Sequence, residues 1–367
     1  MKLLYAAFVR LPTEKAHGAQ IVRTCEALAG QGAEVELVVP DRATDITQDA
    51  FTYYGAKRNF TITILPVPDF IKTGRIGFLI SAFFFARRVA KYATAQCPDT
   101  VYSRDKIVLI VLRFLTRVPL VWEVHGREPY WAVRLLRTAR IIAITAGLQE
   151  ELVRKGVALE RICVAHDGVD LAPFVHRTET KEDARQRLGL PLGKKVVMYI
   201  GRLDGWKGVG TLLKASELLP ADIQVAVIGG EPSQVEELSR CYPRIIFPGF
   251  LPYRDIANNE AAADVLVLPN TARDITSLRY TSPLKLFAYM AAGKPIVASD
   301  LPSIREVISE REAFLITPDS PQALANGIVQ ALTAPDASVR AEAARAKVVE
   351  YTWSTRAHRV VDFIAEV

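Results

Sequence analysis

The sequence predicts an α/β protein made of two doubly wound parallel sheets. Short runs rich in Val, Ile and Leu alternate with amphipathic segments over most of the 367 residues, which is typical of parallel strands that crossover helices bury on both faces. Half of the residues are apolar, and the chain is longer than one hydrophobic core usually supports. The alternation stops once, in a polar stretch at residues 166–195, and then resumes. These observations together favour two domains.

The apolar runs predict strands in each half of the chain. In the first half they are Leu3–Val9, Val35–Val39, Thr61–Leu65, Thr100–Ser103, Leu120–Val124, Ile141–Thr145 and Ile162–Ala165. In the second half they are Val196–Ile200, Gln224–Ile228, Arg244–Phe247, Val265–Leu268, Pro295–Ala298 and Phe314–Ile316. Helices between them include Ala19–Ala29, Ala146–Lys155, Val209–Leu219 and Pro283–Ala292. We therefore place one Rossmann-like domain at residues 1–172 and a second at 173–350.

Composition excludes several classes of protein. The four cysteines are far apart and show no CxxC spacing, so neither a disulfide framework nor a zinc site is predicted. The net charge of +6 comes without a basic stripe interleaved with aromatics, so no nucleic-acid partner is expected. The first residues read as a buried strand and not as a signal peptide, which predicts a cytoplasmic protein.

The longest apolar block, Ile76–Ala86, is shorter than the ~20 residues that a membrane-spanning helix needs. Basic residues flank it on both sides, namely Lys72, Arg75, Arg87, Arg88 and Lys91. This pattern fits a core helix whose basic ends reach water. It fits equally a helix that lies on an anionic membrane surface, so peripheral membrane contact remains an alternative.

The strongest chemical motif is VMYIGRLDGWKG, where a buried strand ends at Gly201 and a loop with Arg202 and Lys207 follows. Glycine lets a phosphate approach the backbone, and a guanidinium and an ammonium can together neutralise a departing diphosphate. Two solvated loop cations are the ordinary alternative. In SPLKLFAYMAAGKP, Ser282 is a predicted N-cap and Pro283 the first helical residue, so the helix offers free amides to a phosphate.

Two further candidates lie in the first half. The loop Arg10–Gln20 joins the first strand to its helix and contains His17 and Gly18. His125 directly follows a predicted strand, where a histidine can donate a hydrogen bond or move a proton. Ligands bind at the carboxyl ends of the strands in doubly wound sheets. We therefore expect an active site in the crevice where these ends face each other.

Missing motifs narrow the function further. The chain has no P-loop, no GxGxxG after a strand and no GxSxG elbow, which argues against kinase-like enzymes, standard dehydrogenases and α/β-hydrolases. No cluster of ligating residues predicts a metal site, and no bound cofactor is expected.

Several segments, in their order and spacing, resemble retaining GT-B glycosyltransferases of the glycosyl transferases group 1 family, of the family 4-like kind. The segments are PTEKAHGAQ, WEVHG, TAGLQEELVRKGV, VAHDGVD, GRLDGWKG, GFLPYRDI and SPLKLFAYMAAGKPIVASDLPSIREVI. The resemblance implies two Rossmann-like domains facing across a cleft, with a nucleotide diphosphate sugar as the donor. It also implies that a C-terminal helix, residues 351–367, packs back on the first domain.

The resemblance assigns roles to individual residues. His125, Arg202 and Lys207 would be catalytic, and His17, Gly18 and His125 would lie on the acceptor side. Donor contacts would come from Gly18, Gly201, Arg202, Lys207, Phe250, Leu251, Ser282, Pro283, Leu284 and Ala288. The cations would hold the diphosphate, and the loop at Phe250 and Leu251 would lie beside the base.

The sequence departs from the family pattern at two positions. The family usually carries two glutamates in this segment, one near the sugar and one on the ribose hydroxyls, where this chain has Tyr280 and Ala288. Losing the ribose carboxylate would weaken donor binding by roughly 1.5 to 3 kcal/mol. An engineered change, a weakened enzyme, or another side chain on the ribose would each account for Ala288.

The sequence thus predicts metal-independent sugar transfer with retention, in which loop cations stabilise the departing diphosphate. The acceptor is unidentified, and a glycan or a lipid-linked molecule would fit. Two other functions remain open. A nucleotide-sugar epimerase shares the fold but needs acid and base residues that we do not find, and a non-catalytic or weakened nucleotide-sugar-binding homologue is consistent with Tyr280 and Ala288.

Overall fold

The computed structural model describes residues 1–366 and confirms the predicted α/β fold class. The chain forms two compact units. The N-terminal unit comprises Met1–His166 together with the C-terminal segment that begins at Trp353, and the C-terminal unit is Asp167–Thr352. Every pairing within the two sheets is parallel.

The N-terminal unit contains a seven-stranded sheet in the order β3-β2-β1-β4-β5-β6-β7. Its strands are β1 Lys2–Ala6, β2 Glu34–Pro40, β3 Thr61–Leu65, β4 Thr100–Ser103, β5 Leu120–Val124, β6 Arg140–Ala143 and β7 Ile162–Val164. Its first helices are α1 Ala16–Gly30, α2 Ala50–Tyr54, α3 Arg75–Gln96, α4 Lys106–Leu115, α5 Tyr130–Leu136 and α6 Ala146–Arg154. The order reverses between β1 and β4, which is where this fold class places its ligands.

The C-terminal unit contains a six-stranded sheet in the order β10-β9-β8-β11-β12-β13. Its helices are α7 Ala172–Val175, α8 Lys181–Arg187, α9 Val209–Ser216, α10 Pro232–Cys241, α11 Ile256–Ala261, α12 Leu284–Ala292, α13 Pro302–Arg305, α14 Pro321–Thr333 and α15 Ala337–Lys347. Its strands are β8 Lys195–Ile200, β9 Ile223–Ile228, β10 Ile245–Gly249, β11 Val265–Leu268, β12 Ile296–Ser299 and β13 Phe314–Ile316. The order reverses between β8 and β11.

Burial on both faces of the sheet explains the uninterrupted apolar strands. In β8, Val196 and Met198 belong to one hydrophobic cluster, whereas Val197 and Tyr199 belong to a second one. Since successive side chains of a strand point to opposite faces, both faces of the sheet carry a core.

The last helix, α16 Trp353–Ala365, is part of the N-terminal unit although it follows the C-terminal unit in the chain. It packs along α1. One of its side chains, Arg356, is buried there and ion-pairs with Glu123 of β5 at 2.7 Å.

Several predicted ends of strands and helices were wrong by one to three residues. In three places a side chain bonds to the backbone near the end concerned. β1 stops at Ala6, since the amide of Phe8 donates to Asp105 Oδ2 at 2.7 Å. β6 stops at Ala143, because Thr145 caps α6 by accepting from the Leu148 amide. The predicted cap Ser282 is not one: α12 begins at Leu284 after Pro283. The Ser282 hydroxyl accepts instead from the Asp167 amide at 3.0 Å.

The apolar block that begins at Ile76 belongs to α3, which buries mostly small residues and exposes several large apolar ones. Its inward face carries Gly77, Ser81, Ala82, Phe85, Ala86, Val89, Ala90 and Ala93. On the outward face, Ile76 is 72% exposed, and Leu79, Ile80, Phe83 and Phe84 are each more than 40% exposed. Among residues 1–366, no helix combines the length and the hydropathy needed to span a bilayer.

Candidate active site

Glycines line the carboxyl edge of the C-terminal unit's sheet and bring its backbones into close contact. Gly201 directly follows β8 and Gly229 directly follows β9, and their φ angles are 149° and 123°. A Cβ on Gly229 would lie 2.1 Å from the Gly201 carbonyl oxygen. The Gly229 amide also donates to the Gly249 carbonyl at 2.8 Å. This edge therefore presents backbone with few side chains, as a phosphate site requires.

Past Gly201 lies the cationic loop that the sequence analysis singled out. Arg202 is largely exposed and pairs with Asp204, at 3.1 Å between Nε and Oδ2. The Lys207 ammonium lies 3.5 Å from the centre of the Trp206 ring. Burial lowers the pKa of Lys207 to about 8; the Asp204 carboxylate opposes that shift and Arg202 adds to it. Lys207 is thus a partly desolvated cation, which binds an anion more strongly than a fully hydrated one does.

A second lysine, Lys285, reaches the same place from the first turn of α12. Its ammonium lies 3.7 Å from the centre of the Tyr199 ring. A Cβ on Gly201 would lie 2.6 Å from its Nζ, so a side chain at this position would displace the ammonium. Burial lowers the pKa of Lys285 well below its ordinary value, and the Lys207 charge lowers it further. Sequence reasoning missed Lys285, although a cation in the first turn opposes the helix dipole and could have marked it.

A buried side-chain amide lies just after β11, the strand that neighbours β8 where the strand order reverses. Asn270 follows β11 and is completely buried, and neither polar atom of its side chain has a hydrogen-bond partner among the described residues. Gly208 packs directly against this strand end, since a Cβ there would lie 1.7 Å from the Pro269 carbonyl oxygen. Buried polar groups are rarely left without partners, so the amide marks a place where a ligand could bind.

The other predicted donor residues have different surroundings. Phe250 follows the glycine edge and is 51% exposed, while Leu251 is half-buried against the core. Pro283 and Leu284 open α12 beside Lys285. Ala288 is fully enclosed in the core and Tyr280 is 3% exposed. Neither position of the missing family glutamates therefore presents a side chain to solvent.

In the N-terminal unit, His17 and Gly18 lie in the first turn of α1. A Cβ on Gly18 would lie 2.1 Å from the Tyr54 hydroxyl oxygen. That hydroxyl accepts from the Thr13 amide and donates to the Thr13 carbonyl. The space beside Gly18 is thus occupied by Tyr54, which secures the β1–α1 loop. Burial, followed by the Arg104 charge, lowers the pKa of His17 to about 4, so this histidine is neutral at pH 7.

His125 follows β5, and a buried carboxylate holds its ring. Its Nε2 lies 2.7 Å from Oε1 of Glu123, which is completely buried. Glu123 also accepts hydrogen bonds from Gln20 Nε2 at 2.6 Å, from the Tyr102 hydroxyl at 2.6 Å and from Arg356 at 2.7 Å. Burial alone would raise the pKa of Glu123, but the charges of Arg356 and His125 outweigh it and keep the pKa well below its ordinary value.

The Glu123 network fixes the ring of the catalytic candidate His125 through its Nε2 atom. Gln20 also accepts from Arg104, at 3.0 Å, so the network extends to the loop that follows β4. Sequence reasoning missed Glu123, although a glutamate inside the otherwise apolar strand LVWEV is unusual and could have marked it.

Comparison with known proteins identifies the family. Residues 18–173 match the model named Glycosyltransferase Family 4, and residues 194–334 match the one named Glycosyl transferases group 1. The chain therefore carries a Glycosyltransferase Family 4 domain followed by a Glycosyl transferases group 1 domain. Among curated relatives, the D-inositol 3-phosphate glycosyltransferase of Thermobispora bispora is 25% identical, and the alignment covers 94% of this chain and 88% of the relative.

TuaC of Bacillus subtilis, a glycosyltransferase assigned to teichuronic acid biosynthesis, is 26% identical over 64% of this chain. The chain spans only 61% of TuaC, and 56% and 50% of two further D-inositol 3-phosphate glycosyltransferases. Among solved structures, Anabaena HepE in complex with UDP-glucose superposes with a TM-score of 0.78 at 21% identity, with full coverage of both chains. This similarity confirms the predicted GT-B fold.

Proposed function

We propose that this chain transfers a sugar from a nucleotide diphosphate donor to a glycan or lipid-linked acceptor, with retention at the anomeric carbon and without a divalent metal. The observation that carries the proposal is the cluster of Arg202, Lys207 and Lys285 around the Gly201 backbone, at the order reversal of the C-terminal sheet. HepE binds UDP and UDP-glucose with the same fold, which makes UDP a suitable probe.

In the proposed reaction the bond between the anomeric carbon and the diphosphate oxygen breaks as a bond to the acceptor oxygen forms on the same face. The acceptor proton passes to the departing phosphate. Arg202 and Lys207 stabilise the charge that develops on the leaving group, which is the larger part of the catalysis. On the acceptor side, Glu123 holds His125 so that its ring can contact the transferred sugar or the acceptor.

A thermal-shift screen of nucleoside diphosphates and nucleotide sugars tests this function. A saturating donor should raise the melting temperature by roughly 5 °C or more, because a ligand at a hundred times its Kd adds about 2.7 kcal/mol to the stability. Lys207→Met should remove most of the shift. Lys195→Met is the control and should keep the shift. Lys195 is exposed and lies at the amino end of β8, remote from the loop that carries Lys207.

Adding EDTA should leave both the shift and the sugar transfer unchanged. If EDTA abolished transfer and manganese restored it, the proposed neutralisation by side-chain cations would be wrong. If no nucleoside diphosphate or nucleotide sugar shifted the melting temperature of the wild-type protein, the donor class itself would be wrong.

We also propose that the outward face of α3 docks on an anionic membrane, where a lipid-linked acceptor would be found. Ile76, Leu79, Ile80, Phe83 and Phe84 form an exposed apolar face. One and two turns further along the same face, Arg87, Arg88 and Lys91 are exposed. Apolar insertion combined with basic residues is typical of helices that lie in the membrane interface.

Vesicle flotation tests this membrane contact. The protein should float with vesicles containing phosphatidylglycerol and much less with pure phosphatidylcholine, since each basic residue near an anionic surface adds about 1 kcal/mol. The double variant Phe83→Gln and Phe84→Gln should lose flotation. Leu218→Gln, which changes an equally exposed apolar residue of the C-terminal unit, should retain it. Equal flotation of both variants would exclude α3 as the contact.

A further inference from the structure

The side-chain amine of Lys285 is enclosed and forms no ion pair with any of residues 1–366. Its Nζ is buried and has no hydrogen-bond partner in the described part of the chain. The ammonium lies 3.7 Å from the centre of the Tyr199 ring, and the charge of Asp204 also favours the protonated form. An enclosed, unpaired ammonium is costly, and such groups occur where a ligand supplies the missing charge.

The surrounding charges do not supply it. Asp204 is the acidic residue acting on both lysines, and it already pairs with Arg202 at 3.1 Å. With their protons on, Arg202, Lys207 and Lys285 carry three positive charges against one carboxylate. This excess of about two positive charges would be neutralised by the negative charge of a bound diphosphate.

The ammonium of Lys285 lies beside the Gly201 backbone. Lys285 Nζ lies against Gly201, where a Cβ would approach it to 2.6 Å. The Tyr199 ring supports the ammonium from one side, and the Tyr199 hydroxyl donates to the Arg202 carbonyl at 2.7 Å. One tyrosine therefore fixes both the lysine and the loop that carries Arg202.

We propose that Lys285 is a third cation of the donor site, which donates a hydrogen bond directly to the diphosphate beside Gly201. This inference rests on the proposed function. It adds the Lys285 side chain to the backbone amides of α12 as a contact of the donor. It makes diphosphate recognition depend on two enclosed lysines that come from different segments of the C-terminal unit.

Calorimetry with inorganic pyrophosphate at pH 7 tests the assignment. Lys285→Met keeps the length and removes the charge, and we expect it to weaken pyrophosphate binding about ten- to a hundredfold. Lys285→Arg should recover part of the loss. Lys294→Met is the matched control, because Lys294 is also half-buried with a lowered pKa but lies beyond the far end of α12; it should bind as the wild type does.

The binding measurements distinguish the proposed donor site from the proposed role of Lys285 within it. If Lys207→Met weakened binding and Lys285→Met did not, the assignment of Lys285 would be overturned while the donor site stood. If the wild-type protein bound neither pyrophosphate nor UDP, both the donor site and the assignment of Lys285 would be wrong. Thermal unfolding without ligand gives a second check: Lys285→Met should melt no lower than the wild type, since it removes an unpaired enclosed charge, and a marked fall would show that the ammonium has a structural role.

Discussion

Replacing Glu123 by alanine is expected to lower the melting temperature of the N-terminal unit by roughly 10 °C. The change leaves the Arg356 guanidinium, whose side chain is 3% exposed, without its carboxylate. Breaking a buried ion pair by removing one partner costs about 3 to 5 kcal/mol, and each kcal/mol corresponds to about 2 to 4 °C in a unit of this size. Calorimetric melting at neutral pH measures the effect.

A double-mutant cycle separates this pair from general disruption of the core. Arg356→Met alone should also destabilise, because it leaves Glu123 buried without its cation. The combined variant should lose less stability than the sum of the two single changes, since removing both charges together leaves neither unpaired. Additive losses would mean that Glu123 and Arg356 do not stabilise each other.

The stabilisation by Glu123 has a defined pH window. Its pKa is held below the ordinary carboxyl value in the folded protein, so the unfolded state binds the proton more readily. The contribution is therefore fully present above the ordinary carboxyl pKa and is lost as the pH falls below that range. Across neutral pH, the effect of Glu123→Ala should not vary.

The affinity for a diphosphate should fall as the pH rises through 8, which is the second large effect that we expect. Lys207 has a pKa of about 8 in the free protein, and the diphosphate binds its charged form. Above that pKa each binding event must bring a proton with it, so affinity should fall about tenfold per pH unit. Calorimetry with UDP from pH 7.5 to 9.5 measures the slope.

Lys207→Arg is the control for this titration, because arginine keeps its charge throughout the range. The variant should bind UDP with a flatter pH dependence than the wild type, and any slope that remains should come from Lys285, whose pKa burial also lowers. A wild-type affinity that stayed constant to pH 9.5 would show that Lys207 does not carry the diphosphate.

The same lysine should affect the stability of the free protein in the opposite direction. Its pKa is lower in the folded than in the unfolded state, so between about pH 8 and the ordinary lysine pKa the unfolded chain binds more protons. By linkage, this contribution to the free energy of unfolding rises with pH. Ligand affinity and ligand-free stability therefore respond to pH with opposite signs.

The strands were predictable because both faces of each sheet are buried. In β8 every position from Val196 to Tyr199 is apolar and enclosed, so the run is visible in the sequence without any knowledge of its partners. The ends were less certain because they depend on single side chains, such as Asp105 at the amide of Phe8. Side-chain bonds of this kind have no periodicity.

Long-range partners explain the missed site residues. Glu123 and Arg356 are 233 positions apart, and no spacing rule connects them. The space beside Gly18 is taken by Tyr54, another contact that local sequence does not show. Arg202 and Lys207 could be proposed because they follow a strand within a few residues, whereas Lys285 arrives at the same place from a helix 78 positions after Lys207.

A crystal structure of the protein soaked with UDP tests the central claim most directly. We expect diphosphate density beside the Gly201 backbone, with phosphate oxygens at about 2.7 to 3.2 Å from the ammonium groups of Lys207 and Lys285. UDP bound away from the carboxyl edge of the C-terminal sheet, with both lysines still enclosed and unliganded, would contradict it.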